Sequence, residues 1–509
     1  MNSVELYDVF ELRLPAGAQD VTAVFSQGET SVGVHTFPLT EGEAAVRFMP
    51  ERTGTWQYRL GEQSGQFEVT PARDGNHGKV VADGCHFRYQ DGARYLPIGT
   101  TIYAWTHQDD ELIAQTLATL AAAPFNKVRM CLFPKSMPYN HNEPQHFPFH
   151  RDAEGGWDVA RPNFEFWERF EANLVALRDL GIEADIILFH PYDRWGLSRL
   201  TREQNLAYLD YAIRRLAAYR NVWWAVANEY DFVLTKDNAD WDAFGEKLSA
   251  DDPHGHLISN HNGITPYPKR DWLTHCSIQT KDVVRSKYWR SVYELPVIME
   301  EFGYEGDIDF EWGNLTAFEV VHRAWASVVN GAYPTHGETY WRADEVLWWS
   351  KGGVLHGESP ARFGFLKDLL YEIGDLDAGL RQSVGQDPNG QDPGAGGSDS
   401  ELDRAAQWFN LVMGKLTREE RVNAMLNMIP PMATNPDHAL TYFGRSRPCF
   451  KELHLPDDGT YRVEIIDVWE MARTVSLEAV SGQHRLPLPA KEGIALLVTR
   501  LSGPSVTHF

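Results

Sequence analysis

Eight short apolar runs, spaced by stretches of helical periodicity, occupy the middle of this chain. They fall at 95–100, 127–133, 183–190, 222–227, 257–260, 276–279, 296–299 and 332–335. Such runs carry no inside–outside alternation, so they read as parallel strands buried on both faces. Helical patterns lie among them at 110–122, 164–180, 202–220, 240–250, 316–330 and 361–371. A buried strand recurring eight times with helices between predicts an α/β fold, a (β/α)8 barrel. The interval between the fifth and sixth runs is too short for a full helix, so that unit is expected to be degenerate. A doubly wound sheet is the competing topology, but the Gly-rich dinucleotide fingerprint that accompanies it is missing.

The flanks have a different texture. Short alternating patterns at 4–12, 21–25, 44–49, 54–60 and 65–69 predict a small N-terminal β-sandwich over 1–72. The barrel then covers 73–383. Residues 384–400 are dense in Gly, Pro and Asp, as expected of a loop or linker. The region 401–509 holds a helical stretch at 404–426 and strand patterns at 439–443, 461–468, 474–477 and 494–499, which predict a second β-sandwich.

Composition narrows the partners. The net charge of −24 argues against nucleic acid, which needs a basic surface. Cys85, Cys131, Cys276 and Cys449 are far apart, so neither a disulfide framework nor a zinc site is expected. His141, His146 and His150 lack ligand spacing. No metal or other cofactor is expected. No apolar run is long enough to cross a membrane, and no leader pattern opens the chain. The expected compartment is the cytoplasm, and self-association stays open. The 17 Trp residues suit either a large core or stacking on sugar rings, whose C–H faces are apolar.

In a barrel the chemistry sits at the C-terminal ends of the strands. The first strand is followed by Thr101, Tyr103, Trp105 and His107, and the second carries Arg129. The third ends at His190, the fourth at Asn228 and Glu229, the fifth at His261 and Asn262, and the sixth at Gln279. The seventh ends at Glu300 and Glu301, with Tyr304 beyond, and the eighth at His336, Glu338 and Trp341. Two acids at strand ends suit glycosidic-bond cleavage, where one group protonates the leaving oxygen and another attacks the anomeric carbon. Consecutive strand residues point to opposite sides, so only one of Glu300 and Glu301 is expected to face the site. Arg129, inside an apolar strand, needs an anion. Trp105 and Trp341 are candidate sugar platforms. His107, His190, His261, Gln279, Tyr304, His336 and Glu338 complete the candidate substrate-binding set. Trp223 and Trp224 read as core.

These residues resemble clan A of the retaining glycoside hydrolases. In that clan the acid/base Glu follows an Asn at the end of strand four, as in Asn228-Glu229. The nucleophile Glu ends strand seven, often before Phe-Gly, as in Glu301-Phe302-Gly303. Arg129, in Phe125-Asn126-Lys127-Val128-Arg129, resembles the strand-two Arg that supports the nucleophile, and His190 resembles the strand-three His. The run Tyr95-Leu96-Pro97-Ile98-Gly99-Thr100-Thr101 resembles the barrel entry of the family that includes bacterial apiosidases. The flanking strand regions are similar to the accessory domains of such barrels. The resemblance implies double displacement, with Glu229 as acid/base, Glu301 as nucleophile, and Asn228 on the sugar 2-OH. The expected substrate is a short oligosaccharide or glycoside carrying a neutral pentose or hexose, cleaved in exo mode. An endo-acting polysaccharide hydrolase and a non-catalytic carbohydrate-binding protein are the alternatives.

Overall fold

The computed structural model describes residues 2–15, 20–378, 408, 411–417, 420–421 and 431–508 of the chain. The expected linker at 384–400 and most of the helical stretch at 404–426 lie outside the described residues.

Eight parallel strands build the barrel: β1 (Gly99–Thr101), β2 (Lys127–Cys131), β3 (Glu183–Phe189), β4 (Val222–Ala227), β5 (Ile258–Ser259), β6 (Cys276–Gln279), β7 (Val297–Glu301) and β8 (Tyr333–His336). Hydrogen bonding runs in the order β5-β4-β3-β2-β1-β8-β7-β6. A parallel bridge between His261 and Ser277 joins β5 to β6 and closes the ring. The degenerate unit is where it was expected. β5 is only two residues long, and the chain from 260 to 275 reaches β6 without a helix. The first strand begins later than its apolar run. Arg94–Tyr95 pairs back onto the hairpin strand His86–Tyr89, and Pro97, with no N–H to give, separates it from β1.

Helices α1 (Asp110–Ala122), α2 (Phe164–Asp179), α3 (Arg202–Leu216) and α4 (Asn238–Asp251) follow β1 to β4. Three of the four starts carry a side-chain cap. Asp109 accepts from the Leu112 amide, and Thr201 and Gln204 form a reciprocal capping box. Their apolar stripes bury Leu120, Phe170, Leu174 and Leu209 in one core with Val128, Ile186 and Trp224 of the strands.

The barrel interior is not wholly apolar. Lys127 bonds Asp185 and Glu300, both at 2.8 Å, with all three side chains sealed from solvent. Trp223 and Trp224 are core residues, donating to Glu183 at 3.0 Å and Asp252 at 2.9 Å.

The N-terminal region is a sandwich. A five-stranded sheet contains Thr22–Gln27, Gly54–Leu60 and Gln63–Thr70, and a three-stranded sheet contains Phe10–Pro15 and Glu43–Phe48. Phe25 stacks on Phe48 at 4.4 Å and Phe10 on Phe67 at 3.7 Å. Arg47 reaches from this sandwich to Glu171 of α2 at 2.5 Å, and Arg215 of α3 meets the same carboxylate at 2.6 Å.

A second compact unit comprises residues 282–292, 325–332 and the described residues from 373 onward. Its described strands include Met432–Thr434, His438–Tyr442, Thr460–Asp467, Ala472–Val480 and Ile494–Ser502 in one antiparallel sheet. A two-stranded sheet joins Phe450–Leu455 to Gly482–Pro487. Tyr461, Val463, Leu453, Leu486 and Leu496 share the core between them, a sandwich-like arrangement. Among the described residues, no helix is long and apolar enough to cross a membrane.

Candidate active site

The site is built where β4 ends. Asn228 continues the strand register, its N–H donating to the Phe189 carbonyl at 2.8 Å. Glu229 then adopts a left-handed backbone, φ 49° and ψ 56°. That conformation is uncommon for a non-glycine residue and costs about 1–2 kcal/mol. His261 holds it in place. The Glu229 N–H donates to His261 Nδ1 at 3.3 Å, and the Tyr230 N–H donates to the His261 carbonyl at 2.9 Å. The result turns Glu229 into the barrel mouth. Its Oε2 accepts from Asn228 Nδ2 at 2.9 Å and from the Tyr192 hydroxyl, and its Oε1 accepts from Gln279 Nε2 at 3.2 Å.

Glu301 faces it from the end of β7. Glu301 Oε1 accepts from Arg129 Nη1 at 2.7 Å and from the Tyr103 hydroxyl. Arg129 Nη1 also lies 2.8 Å from that hydroxyl, and its Nη2 donates to Asn228 Oδ1 at 2.6 Å. Asn228 therefore receives Arg129 on its oxygen and supports Glu229 through its nitrogen, so one guanidinium organises both acids. Gly303, at φ 96°, turns the chain away after Glu301, and a Cβ there would meet Leu315 Cδ1 at 2.6 Å. That is the physical content of Glu-Phe-Gly.

Glu300 differs from expectation in its direction. It also turns inward, one layer deeper, onto Lys127. Lys127 and Arg129 share one face of β2, so both consecutive carboxylates reach the interior. The register shifts between Ile278 and Gln279 across β6 and β7, which breaks the alternation at this strand end. Depth, rather than opposite faces, separates the two acids.

Burial pushes the Glu229 carboxyl above its ordinary value, and the Glu301 charge adds to this, against opposing effects of Lys135, Tyr192 and Gln279. Burial, together with the Arg129 and Lys135 charges, holds His261 well below the usual imidazole range, so it is neutral. Since its Nδ1 accepts from an amide, the proton sits on Nε2, which lies 3.8 Å from Glu301 Oε1.

Arg129, Asn228, Glu229, His261, Gln279 and Glu301 thus meet. His190 stands beside them, its Nε2 at 3.2 Å from the Phe133 carbonyl and its ring against Tyr192. Tyr304 is buried in the wall, against Trp312 and Trp349. Five other candidates lie elsewhere. Trp105 is sealed in the core with its Nε1 toward Met130 Sδ, so it offers no face to a sugar. His107 is buried against Phe166 and bonds the Leu132 carbonyl. The His336 ring packs between Phe125 and Phe363, where burial lowers its pKa to about 3. Glu338 accepts the His356 and Gly357 amides at 2.6 and 2.8 Å, so its oxygens hold a loop. Trp341 is exposed beyond β8.

Four residues outside the candidate catalytic and substrate-binding set belong to the site: Tyr103, Lys135, Tyr192 and Trp349. Tyr103 follows β1, where the strand-end reading names it without giving it a role. Lys135 and Tyr192 sit on loops, where no periodicity points to them, and Trp349 sits on a four-residue helix, Trp348–Lys351, after β8.

Glu305, His336 and Glu338 are near enough to share an ion. However, Glu305 already accepts the Glu358 and Ser359 amides and the Tyr340 hydroxyl, as Glu338 accepts its two amides. Donors converging on both carboxylates supply the positive potential a cation would bring, so the cluster does not fit a metal site.

A closed eight-strand parallel barrel with paired acids ending β4 and β7 defines a glycoside hydrolase of clan A architecture. Residues 82–361 match the family described as apiosidase-like, catalytic domain, which is more than half of the chain. The chain belongs to this apiosidase-like glycoside hydrolase family. Residues 429–499 match a domain of unknown function, DUF5605. A candidate glycoside hydrolase from Bacteroides vulgatus is 32% identical, with a TM-score of 0.82 over 98% of this chain and 100% of that one. A glycoside hydrolase family 5 structure from the same organism is 14% identical, with a TM-score of 0.57 over 83% of this chain and 94% of that one, a likeness of fold alone. No curated protein matches the chain.

Proposed function

We propose that this glycoside hydrolase works with retention, Glu301 attacking the anomeric carbon and Glu229 serving as acid and then base. The observation that carries this reading is the divided treatment of the two acids. Glu301 is bonded to the Arg129 guanidinium at 2.7 Å, a charge-assisted contact that holds the nucleophile's carboxylate in position. Glu229 is buried beside that anion, which favours the protonated form a general acid needs. In the first step Glu301 displaces the leaving group as Glu229 protonates its oxygen. In the second step Glu229 removes a proton from water, which attacks the glycosyl-enzyme. Retention requires carboxyl groups about 5–5.5 Å apart. In this reading Asn228, which bonds Glu229 and Arg129, also bonds the sugar 2-OH.

We take the mode to be exo, on a small glycoside bearing a neutral pentose or hexose. Two features support an enclosed mouth over an open groove. Glu229 and Tyr304 are buried, and the 356–359 loop beyond β8 is tied down by its amides donating to Glu305 and Glu338. A panel of aryl pentosides and hexosides, assayed with the wild type, Glu229→Gln and Glu301→Gln, tests the reading. Hydrolysis by the wild type and loss in both variants is expected. Activity surviving both substitutions would sink it.

A further inference from the structure

Lys135 lies on the loop after β2 and is 3% exposed. The loop is pinned, with the Ser136 N–H donating to the Tyr192 carbonyl at 2.8 Å and Asn140 Nδ2 donating to the Lys135 carbonyl. The Lys135 ammonium stands 3.2 Å from the Tyr103 ring centroid, 4.4 Å from that of Tyr192 and 5.2 Å from that of Trp349. Among the described residues it has no ion-pair or hydrogen-bond partner. A buried ammonium is expensive unless its charge is used, and aromatic faces offset only part of that cost.

The two nearest rings are not arbitrary. The Tyr103 hydroxyl donates to Glu301, and the Tyr192 hydroxyl donates to Glu229. A cation over a phenol ring withdraws electron density and makes the O–H a stronger donor. We propose that Lys135 is a positioning residue of the acid pair, clamping Tyr103 and Tyr192, strengthening their bonds to Glu301 and Glu229, and limiting how tightly Glu229 keeps its proton. The inference rests on the acid/base reading of Glu229 given above.

The charged surroundings support it. Cys131 and Arg129 of β2, Glu229 and Glu301 act on the ammonium, and His190 and His261 feel it in turn. Burial leaves both imidazoles neutral and pushes the Cys131 thiol up to about 11. Lys127, Arg129 and Lys135 are the three cations set among the acids Asp185, Glu300, Glu301 and Glu229. Burial lowers Lys135 to about 8, so its charge is present at neutral pH and is lost in mild alkali.

The test uses the full chain labelled with 13Cδ-glutamate, the Glu229 signal being identified by its loss in Glu229→Gln. In the wild type, that signal should show a second inflection near pH 8 as Lys135 discharges. In Lys135→Met the Glu229 midpoint should rise by about one unit, while Lys135→Arg should stay close to the wild type. The high-pH limb of kcat/KM should move with it on any aryl glycoside that is cleaved. A Glu229 titration with no inflection in the wild type overturns the proposal, even if Lys135→Met does not fold. An unmoved midpoint in folded Lys135→Met also overturns it. So does a preference for carboxylate-bearing sugars that Lys135→Met abolishes, which would make Lys135 an anion-recognition residue instead. If no glycoside is cleaved, the glycosidase reading fails separately, because the titration needs no substrate.

Discussion

Glu229 carries two costs at once: a left-handed backbone and a buried, proton-retaining carboxyl. Both are concentrated where chemistry would use them. Replacing it with Gln keeps the shape and removes the proton. We expect kcat/KM on poorly activated glycosides to fall by about 10²–10⁴, the usual reach of general acid catalysis. Stability should move the other way. The folded pKa of Glu229 lies above its ordinary value of 4.5, so the folded state binds more protons in the interval between them. The wild type therefore loses stability as pH rises through that interval. Glu229→Gln should melt higher than the wild type above it and alike below pH 4, measured by calorimetry across pH. A stability difference that does not vary with pH would contradict the buried-acid reading.

The elements that place these residues are held by polar pins as well as by apolar packing. Glu171 on α2 is shared by Arg47 of the N-terminal sandwich and Arg215 of α3. Glu171→Ala leaves two buried guanidinium groups short of a partner, and should cost about 3–5 kcal/mol in denaturant unfolding. A loss under 1 kcal/mol would show that the network contributes little. The loop before the helix Ser359–Ile373 hangs on Glu305. Glu305→Ala should free it and sharply raise amide hydrogen exchange at 356–359, leaving exchange in β2 and β3 unchanged. Elements were legible where the physics is periodic. Buried parallel strands declared themselves as apolar runs, and the short fifth unit declared itself by spacing. The start of β1 was misplaced because Pro97 interrupts an apolar run that serves two sheets. At the site, Glu229 and Glu301 were legible because strand ends are marked by the strands before them. Lys135 and Tyr192 lie on loops with no pattern to mark them. Trp105 and His336 follow strands in sequence, but their side chains turn into the core rather than the mouth.

For the whole molecule, the barrel brings acids 72 positions apart in sequence onto one guanidinium and one amide, since Arg129 bonds both Glu301 and Asn228. Arg129→Met should therefore disable both acids together. A fall in kcat/KM as large as that of Glu301→Gln is expected, with the fold retained by circular dichroism. The central claim is that Glu301 forms the glycosyl-enzyme. It is tested most directly by trapping. The 2-deoxy-2-fluoro aryl glycoside of the sugar the enzyme cleaves should inactivate the enzyme with one adduct per chain. Peptide mass spectrometry should then place that adduct on Glu301. An adduct on Glu229 or Glu300, or turnover whose first-formed product is the inverted anomer, would contradict the account.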